Sequence, residues 1–279
     1  GCATTPSVAP PTGSPNEMVA QLETDMAAAK SAQVDVLAPT LFAQANDSLM
    51  KAKQALAKGA KLSTISTHVA EGGATLKKAE EIAQVSRTIL SETNAARQKA
   101  LDVGAKKLGK PYEEVESQYL ALTKAINKDN LSFAQKNAPK VQAAFRDLEI
   151  MAIKNNALGS ARSRMAEIER TKIEKIAPSA YRDATKALGE ADAYIGKNPY
   201  DAEVISQKAR SAEFMAERAL SIGASSRKFE SMSPEASALY LEGIVGRFGQ
   251  AIQAGDVRDK AVDDQISSLT AAAAEKERN

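Results

Sequence analysis

The chain has 279 residues, enough for one large domain or two small ones, and its 37 basic and 35 acidic residues leave a net charge of +2. The charges are interspersed, which is the pattern of solvated helix faces and excludes a basic stripe for nucleic acid. Alanine is about a fifth of the residues, aromatics are 4% and tryptophan is absent, so the composition favours helix and argues against a strand-built core.

Cys2 is the one cysteine, so no intramolecular disulfide is possible. From Ala3 to Pro15 the chain is Ala, Thr, Pro, Ser, Val and Gly, with no charge before Glu17. Such a stretch buries too little apolar surface to fold and reads as a tether. Gly1-Cys2 followed by this tether resembles the processed end of a bacterial lipobox, in which the cysteine carries the lipid. That resemblance implies a signal peptide already removed and, with no early aspartate after Cys2, anchoring to the outer membrane by N-terminal acyl chains. No run reaches the ~20 apolar residues that span a bilayer.

Breakers and caps predict helices over Glu17–Leu37, Pro39–Lys58, Ser63–Lys107, Pro111–Lys128, Pro139–Ile176, Pro178–Gly196, Pro199–Ile222, Pro234–Ala254 and Val257–Lys276. Gly59, Gly109 and Gly255 read as C-terminal caps, and Asn198 and Ser233 as N-caps. An internal repeat runs through this series. Leu37-Ala38-Pro39-Thr40-Leu41-Phe42 matches Ile176-Ala177-Pro178-Ser179-Ala180-Tyr181 at an offset of 139 (Pro178 against Pro39). Phe42, Ala45, Leu49, Ala52 and Leu56 then match Tyr181, Ala184, Leu188, Ala191 and Ile195, one amphipathic face in each case. Each Ala-Pro should end or kink one helix and start the next.

The later pair Tyr119-Leu120 and Tyr240-Leu241 stands at an offset of 121, so the first copy holds an extra segment of about five turns, placed near Val85 to Lys107 as an extension of the preceding helix. The expected fold is therefore all-α, an elongated helical bundle of two similar multi-helix units joined by a long shared helix. Residues 1–16 are expected to form the lipid-anchor tether, 17–156 the first unit and 157–279 the second, in one continuous body.

With the Ala-Pro junction, the alanine-rich return helix and the cysteine in view, the sequence resembles a family of alanine-rich periplasmic lipoproteins often encoded with, or fused to, OmpA-like domains. The resemblance covers roughly a third of the chain. It rests on Ala177-Pro178 through Leu220, with Asn198-Pro199-Tyr200-Asp201 at the turn and Ala209, Ala212, Ala216 and Ala219 on the return helix. Ala38–Ile82 matches less well. It implies a periplasmic location and OmpA-like or envelope transport proteins as partners. The chain departs from the fused members in stopping at Ala271-Ala272-Ala273-Ala274-Glu275-Lys276-Glu277-Arg278-Asn279, so binding of peptidoglycan through such a domain is not expected.

Catalytic chemistry is not expected. His68 is the one histidine and has no partner for a triad or a metal site. Gly72-Gly73 lies in a helix and reads as close packing rather than a phosphate loop. Glu113-Glu114 and Asp263-Asp264 are adjacent and point apart. No cofactor, metal or nucleic acid is expected. The methionines and aromatics remain. Most fit core positions, but where long alanine-faced helices splay they would line an apolar slot. The expected site is a groove formed by Tyr181, Leu188, Met215, Tyr240 and Phe248, taking a lipid or other apolar ligand. The expected role is a non-enzymatic periplasmic binding protein, accessory to envelope transport. A ligand-free scaffold or adaptor for envelope proteins is the alternative.

The anchor is testable on its own. Cys2→Ser should move the protein from the outer-membrane fraction to the soluble periplasmic fraction, measured by fractionation and immunoblot. Retention at the membrane would place the anchor elsewhere.

Overall fold

The computed structural model describes residues 12–278, which form twelve α-helices, one 3₁₀ turn and no strand. The chain is all-α. It divides into two compact units, Gly1–Asn156 and Ala157–Asn279. Cys2 lies outside the described residues. Among those described, no helix is long and apolar enough to cross a membrane.

In unit 1, α1 (Pro15–Ser31) starts with a reciprocal cap: Glu17 N–H donates to the Ser14 hydroxyl, and Ser14 N–H donates to the Glu17 carboxylate. That carboxylate is held below its usual pKa first by the Ser14 backbone N–H. The helix does not continue to Leu37 as expected. Ala32 N–H and Gln33 N–H donate back to the Ala28 and Lys30 carbonyls, and Gln33 takes a left-handed conformation with φ 62°. For a residue with a Cβ this costs about 1–2 kcal/mol. The turn buries Val34 and Leu37 on the short helix α2 (Val34–Leu37). Pro39 then opens α3 (Pro39–Ala57) at its first turn. Ala38 offers that helix no side-chain cap, and Leu41 N–H donates instead to Asn127 Oδ1. Gly59, with φ 63°, ends α3 as expected.

α4 (Leu62–Ile89) returns along α3, and α1 packs on both. The three share a core of Met18, Leu22, Met26, Ala45, Leu49, Ile65 and Leu76 with their neighbours. Gly72 sits where they meet. A Cβ there would stand 2.8 Å from Leu22 Cδ2 and 3.3 Å from Ser48 Cβ, whereas at Gly73 it would meet nothing within 4 Å.

The expected single helix to Lys107 is broken. The chain turns at Leu90, which is buried, into α5 (Ser91–Asp102), the 3₁₀ turn Ala105–Leu108 and α6 (Lys110–Asn127). The break lets Leu90, Ala96, Ala100 and Ala105 join a second core with Tyr119, Leu122, Ile126 and Phe145. Packing overrides the helical propensity of this stretch. α7 (Leu131–Arg170) begins earlier than expected, because Asn130 Oδ1 accepts the Phe133 N–H, and Pro139 lies inside it. Its first part belongs to unit 1 and its last to unit 2.

In unit 2, α7 ends at Arg170 instead of Ile176. Lys172 is left-handed with φ 61°, and α8 (Ile173–Ile176), Pro178 and α9 (Pro178–Lys197) follow. α10 (Ala202–Glu230) returns along α9 and outlasts its expected end at Ile222. It is capped by Asp201 rather than Asn198, since Asp201 Oδ1 accepts the Val204 N–H. α11 (Pro234–Ala251) is capped by Ser233 as expected, and ends at Gln253, with φ 52°, rather than at Gly255. α12 (Val262–Arg278) packs on it.

Both Ala-Pro junctions are alike. Ala38 has φ −138° and ψ 60°, Ala177 has φ −127° and ψ 62°, and each follows a four-residue helix entered through a left-handed residue. An arginine closes each turn: Arg87 Nη2 donates to the Ala32 carbonyl, and Arg227 Nη2 to the Thr171 carbonyl.

Two substitutions measure the close approach at Gly72. Alanine is the better helix former at both glycines by about 1 kcal/mol. Overpacking should nevertheless make Gly72→Ala about 1–3 kcal/mol less stable than Gly73→Ala, read from urea unfolding midpoints. Equal stabilities would mean the three helices move apart without cost.

Candidate functional site

The five residues expected to line an apolar groove do not meet at one place. Tyr181, Leu188 and Met215 pack together against the unit 2 core of Ala184, Ala216 and Ala219. Tyr240 packs edge-on to Phe229, with ring centroids 5.8 Å apart, and Lys228 Nζ lies 3.7 Å from its ring. Phe229 stands 14 residues beyond Met215 on α10, roughly 21 Å along a helix axis. Phe248 is 53% exposed on α11. His68, near the start of α4, lies 3.7 Å from Glu71, beside Ser63, Thr64 and Thr67. Among the described residues no group of three or more His, Cys, Asp or Glu is placed to hold a metal ion.

A different set converges in unit 1. The α1–α2 turn supplies Gln33, the last turn of α4 supplies Arg87, α5 supplies Asn94, Arg97 and Gln98, and α6 supplies Glu116 and Tyr119. Asn94, Arg97 and Gln98 share a helix face at three- and four-residue spacing, as do Glu116 and Tyr119. A cavity of about 310 Å³ is lined by Arg87, Asn94, Arg97, Gln98, Tyr119 and the Ser31–Gln33 turn. That volume is at the lower end of the range of small-molecule pockets, 300–1,000 Å³ as a rough guide.

Arg97 organises the site. The residue is 8% exposed, and its guanidinium forks onto Glu116, with Nε to Oε2 at 2.8 Å and Nη2 to Oε1 at 2.5 Å. Nη1 donates to Gln33 Oε1 at 3.1 Å, and the group lies 5.0 Å from the Tyr119 ring centroid. Burial opposes the charge on Arg97, but the hydrogen bonds and negative charge of Glu116 overcome it and raise its pKa. Tyr119 is 1% exposed, rests edge-on against Phe145 and donates its O–H to Asn94 Oδ1 at 2.7 Å. Burial pushes its phenol up to about 12, with the nearby Arg97 charge opposing the rise. Burial also raises Tyr112, with Glu116 adding to the effect.

A second cavity, of about 510 Å³, lies between α11 and α12, lined by Gly243, Gly246, Gly249, Asp256, Arg258 and Gln265 among others. Two of its charged groups, Asp256 and Arg258, are exposed and pair with each other, with Arg258 Nη2 donating to Asp256 Oδ2 at 2.7 Å and holding that carboxyl down at about 2. The unit 1 cavity is the better-defined site, because its side chains are fixed by burial and by bonds from three different helices.

In the sequence Tyr119 reads as core, and no motif singles out Gln33, Arg87, Asn94, Arg97 or Glu116. A signal was present in α5, where Arg97 falls on the apolar face with Thr93, Ala96 and Ala100. Comparison with known protein families, curated proteins and solved structures finds no match.

Tyr119 gives a pH-dependent test. Its folded pKa of about 12 lies above the ordinary 10.0, so its contribution is fully present below pH 10 and is lost as pH rises from there towards 12. Tyr119→Phe should lower stability at neutral pH by about 1–3 kcal/mol, since Asn94 loses its partner. It should also flatten the alkaline decline by on the order of 1–3 kcal/mol, read from urea midpoints across that range. Parallel declines in both proteins would show that Tyr119 titrates normally.

Proposed function

We propose that this chain is a non-enzymatic binding protein of the bacterial cell envelope, held at the outer membrane by acyl chains on Cys2, that takes a small polar ligand in the Arg97–Tyr119 cavity. The observation that carries the reading is the cavity itself, preformed and walled by a bonded polar network. The state of its groups supports binding rather than catalysis. Glu116 is engaged through both oxygens by Arg97, and Tyr119 stays protonated at neutral pH, so neither serves as a base. The Ser31 hydroxyl donates to the Ala27 carbonyl and has no base beside it in the network. The tether and the lipoprotein resemblance support the periplasmic location, and envelope transport or OmpA-like proteins as partners.

The reading includes a duplication, in which the two units are copies of one lead-in helix and helical hairpin. The matched Ala-Pro junctions and arginine-closed turns support it. So does a register that persists along the return helix: Ile65, Gly72, Leu76, Ala79 and Ala83 are buried on α4, and Ile205, Ala212, Ala216, Ala219 and Gly223 on α10, each 140 positions later (205 against 65). The step from 139 to 140 matches α9 being one residue longer than α3, 20 against 19. A cross-helix ion pair recurs with its signs exchanged: Lys53 meets Glu23 in unit 1, and Asp192 meets Arg162 in unit 2. On this account α5 is the addition that turned a structural turn into a binding site, because it supplies Asn94, Arg97 and Gln98.

A second reading keeps the apolar ligand, favoured by the partly buried Tyr181, Leu188 and Met215 all packing against one buried core. Ligand-observed NMR on the full chain separates the two. Small polar fragments should compete with one another for one site and be lost in Asn94→Leu, without displacement by a fluorescent fatty acid. Saturable fatty-acid binding lost in Met215→Trp, with no polar binding, would replace the cavity reading by the apolar one. Binding of neither class would leave the scaffold.

A further inference from the structure

Resting on the cavity reading above, we infer that the ligand of the Arg97–Tyr119 cavity is a small oxyanion, a carboxylate or phosphate, received by Arg87 and the side-chain amides of Asn94 and Gln33. The inference comes from which atoms the network uses. Glu116 gives both oxygens to Arg97, Gln33 gives Oε1 to Arg97 Nη1, and Asn94 gives Oδ1 to the Tyr119 hydroxyl. The Ala32 carbonyl accepts from Arg87 Nη2 at 2.6 Å. The oxygens of Glu116, Gln33 and Asn94 are thus engaged by the protein, whereas Gln98 gives its amide N–H to Asp102 and keeps Oε1 as an acceptor. Asn94 Nδ2, Gln33 Nε2 and the remaining guanidinium N–H groups are donors that the network does not spend. A ligand that meets these donors must bring acceptors.

Charge points the same way. Arg97 and Glu116 cancel as a forked pair. Arg87 is bonded to the Gln84 and Ala32 oxygens, both uncharged, so its positive charge is not neutralised by a carboxylate there. The wall therefore carries one net positive charge together with several amide donors. Carboxylates and phosphates match this pattern, whereas a cation is repelled and a neutral amide forgoes the charge. Unit 2 offers a contrast: Arg227 closes the Thr171 carbonyl in the same way, but α10 runs on to Glu230 and no helix corresponding to α5 intervenes before α11.

The test uses the full chain with succinate, inorganic phosphate and succinamide as probes in isothermal titration calorimetry. At least one oxyanion should bind saturably with one-to-one stoichiometry, and the stronger of the two identifies carboxylate or phosphate. Succinamide should bind at least about tenfold more weakly. Asn94→Asp keeps an acceptor for the Tyr119 hydroxyl but places a negative charge at the wall, and should weaken oxyanion binding by about tenfold or more at unchanged Tm. Arg87→Gln retains a donor for the Ala32 carbonyl without the charge, and should weaken it comparably. Equal binding of succinamide would overturn the charge requirement and leave the cavity reading intact. Oxyanion binding undiminished in both variants would move the anion elsewhere on the protein and overturn the inference. No binding by any probe, together with no polar fragment in the NMR experiment, would remove site and ligand class alike.

Discussion

Alanine at the helix contacts sets how closely this chain can pack. Ala45, Ala52, Ala79 and Ala83 between α3 and α4, and Ala184, Ala191, Ala212, Ala216 and Ala219 between α9 and α10, are each 1% exposed or less. A methyl side chain holds two helices near the lower end of the usual 8–10 Å separation. It also contributes little apolar area per turn. Two consequences follow. The few large side chains must gather where the helices diverge, and any site where a glycine replaces an alanine becomes a point of still closer contact, as at Gly72 against Leu22 and Gly223 against Ile173.

Unit 1 departs from this pattern around α5 and α6. Tyr119, Phe145, Leu122 and Ile126 are all 1% exposed or less, and they make a core of large residues beside the alanine-packed hairpin. The two cores share Val36, three residues after the Gln33 turn, and Ile82. Large side chains on one side and close-packed alanine on the other leave a gap at the join, and the polar network lines it. The cavity is thus a consequence of joining two packing scales.

The charged pair at that join has a cost. Burying Arg97 and Glu116 removes hydration from both, and such pairs often contribute less than apolar residues of the same size. What the pair does supply is position. It ties α5 to α6, and through Gln33 to the left-handed turn after α1, so three elements are held in register by one guanidinium. Arg87 secures the same turn through a backbone carbonyl. A side chain that fixes geometry at the cost of some stability is common in sites built to receive a ligand.

The helical class, the Ala-Pro junctions, the Gly59 and Ser233 caps and the apolar face of each hairpin are legible in the chain before it folds. These are local properties. Proline at a first turn, a hydroxyl before a helix and apolar residues at three- and four-residue steps act on their own segment, wherever that segment packs. The ends of long helices were decided by tertiary structure. Propensity alone carries α4 through Leu90 and α1 through Gln33, yet both break, because burying Leu90 in one core and Val34 with Leu37 in another outweighs a few continued turns. The start of α7 was decided partly by Asn130, a cap that the more conspicuous Pro139 obscures. The site was decided almost wholly by the tertiary structure. Gln33, Arg87, Arg97 and Glu116 lie as much as 83 positions apart (33 to 116), and nothing in their separate segments indicates that they belong to one site. Only Arg97 carried a local sign, a charge on an otherwise apolar face. Its meaning depended on Glu116 arriving opposite it, and long-range pairing of that kind is fixed by packing, not by periodicity.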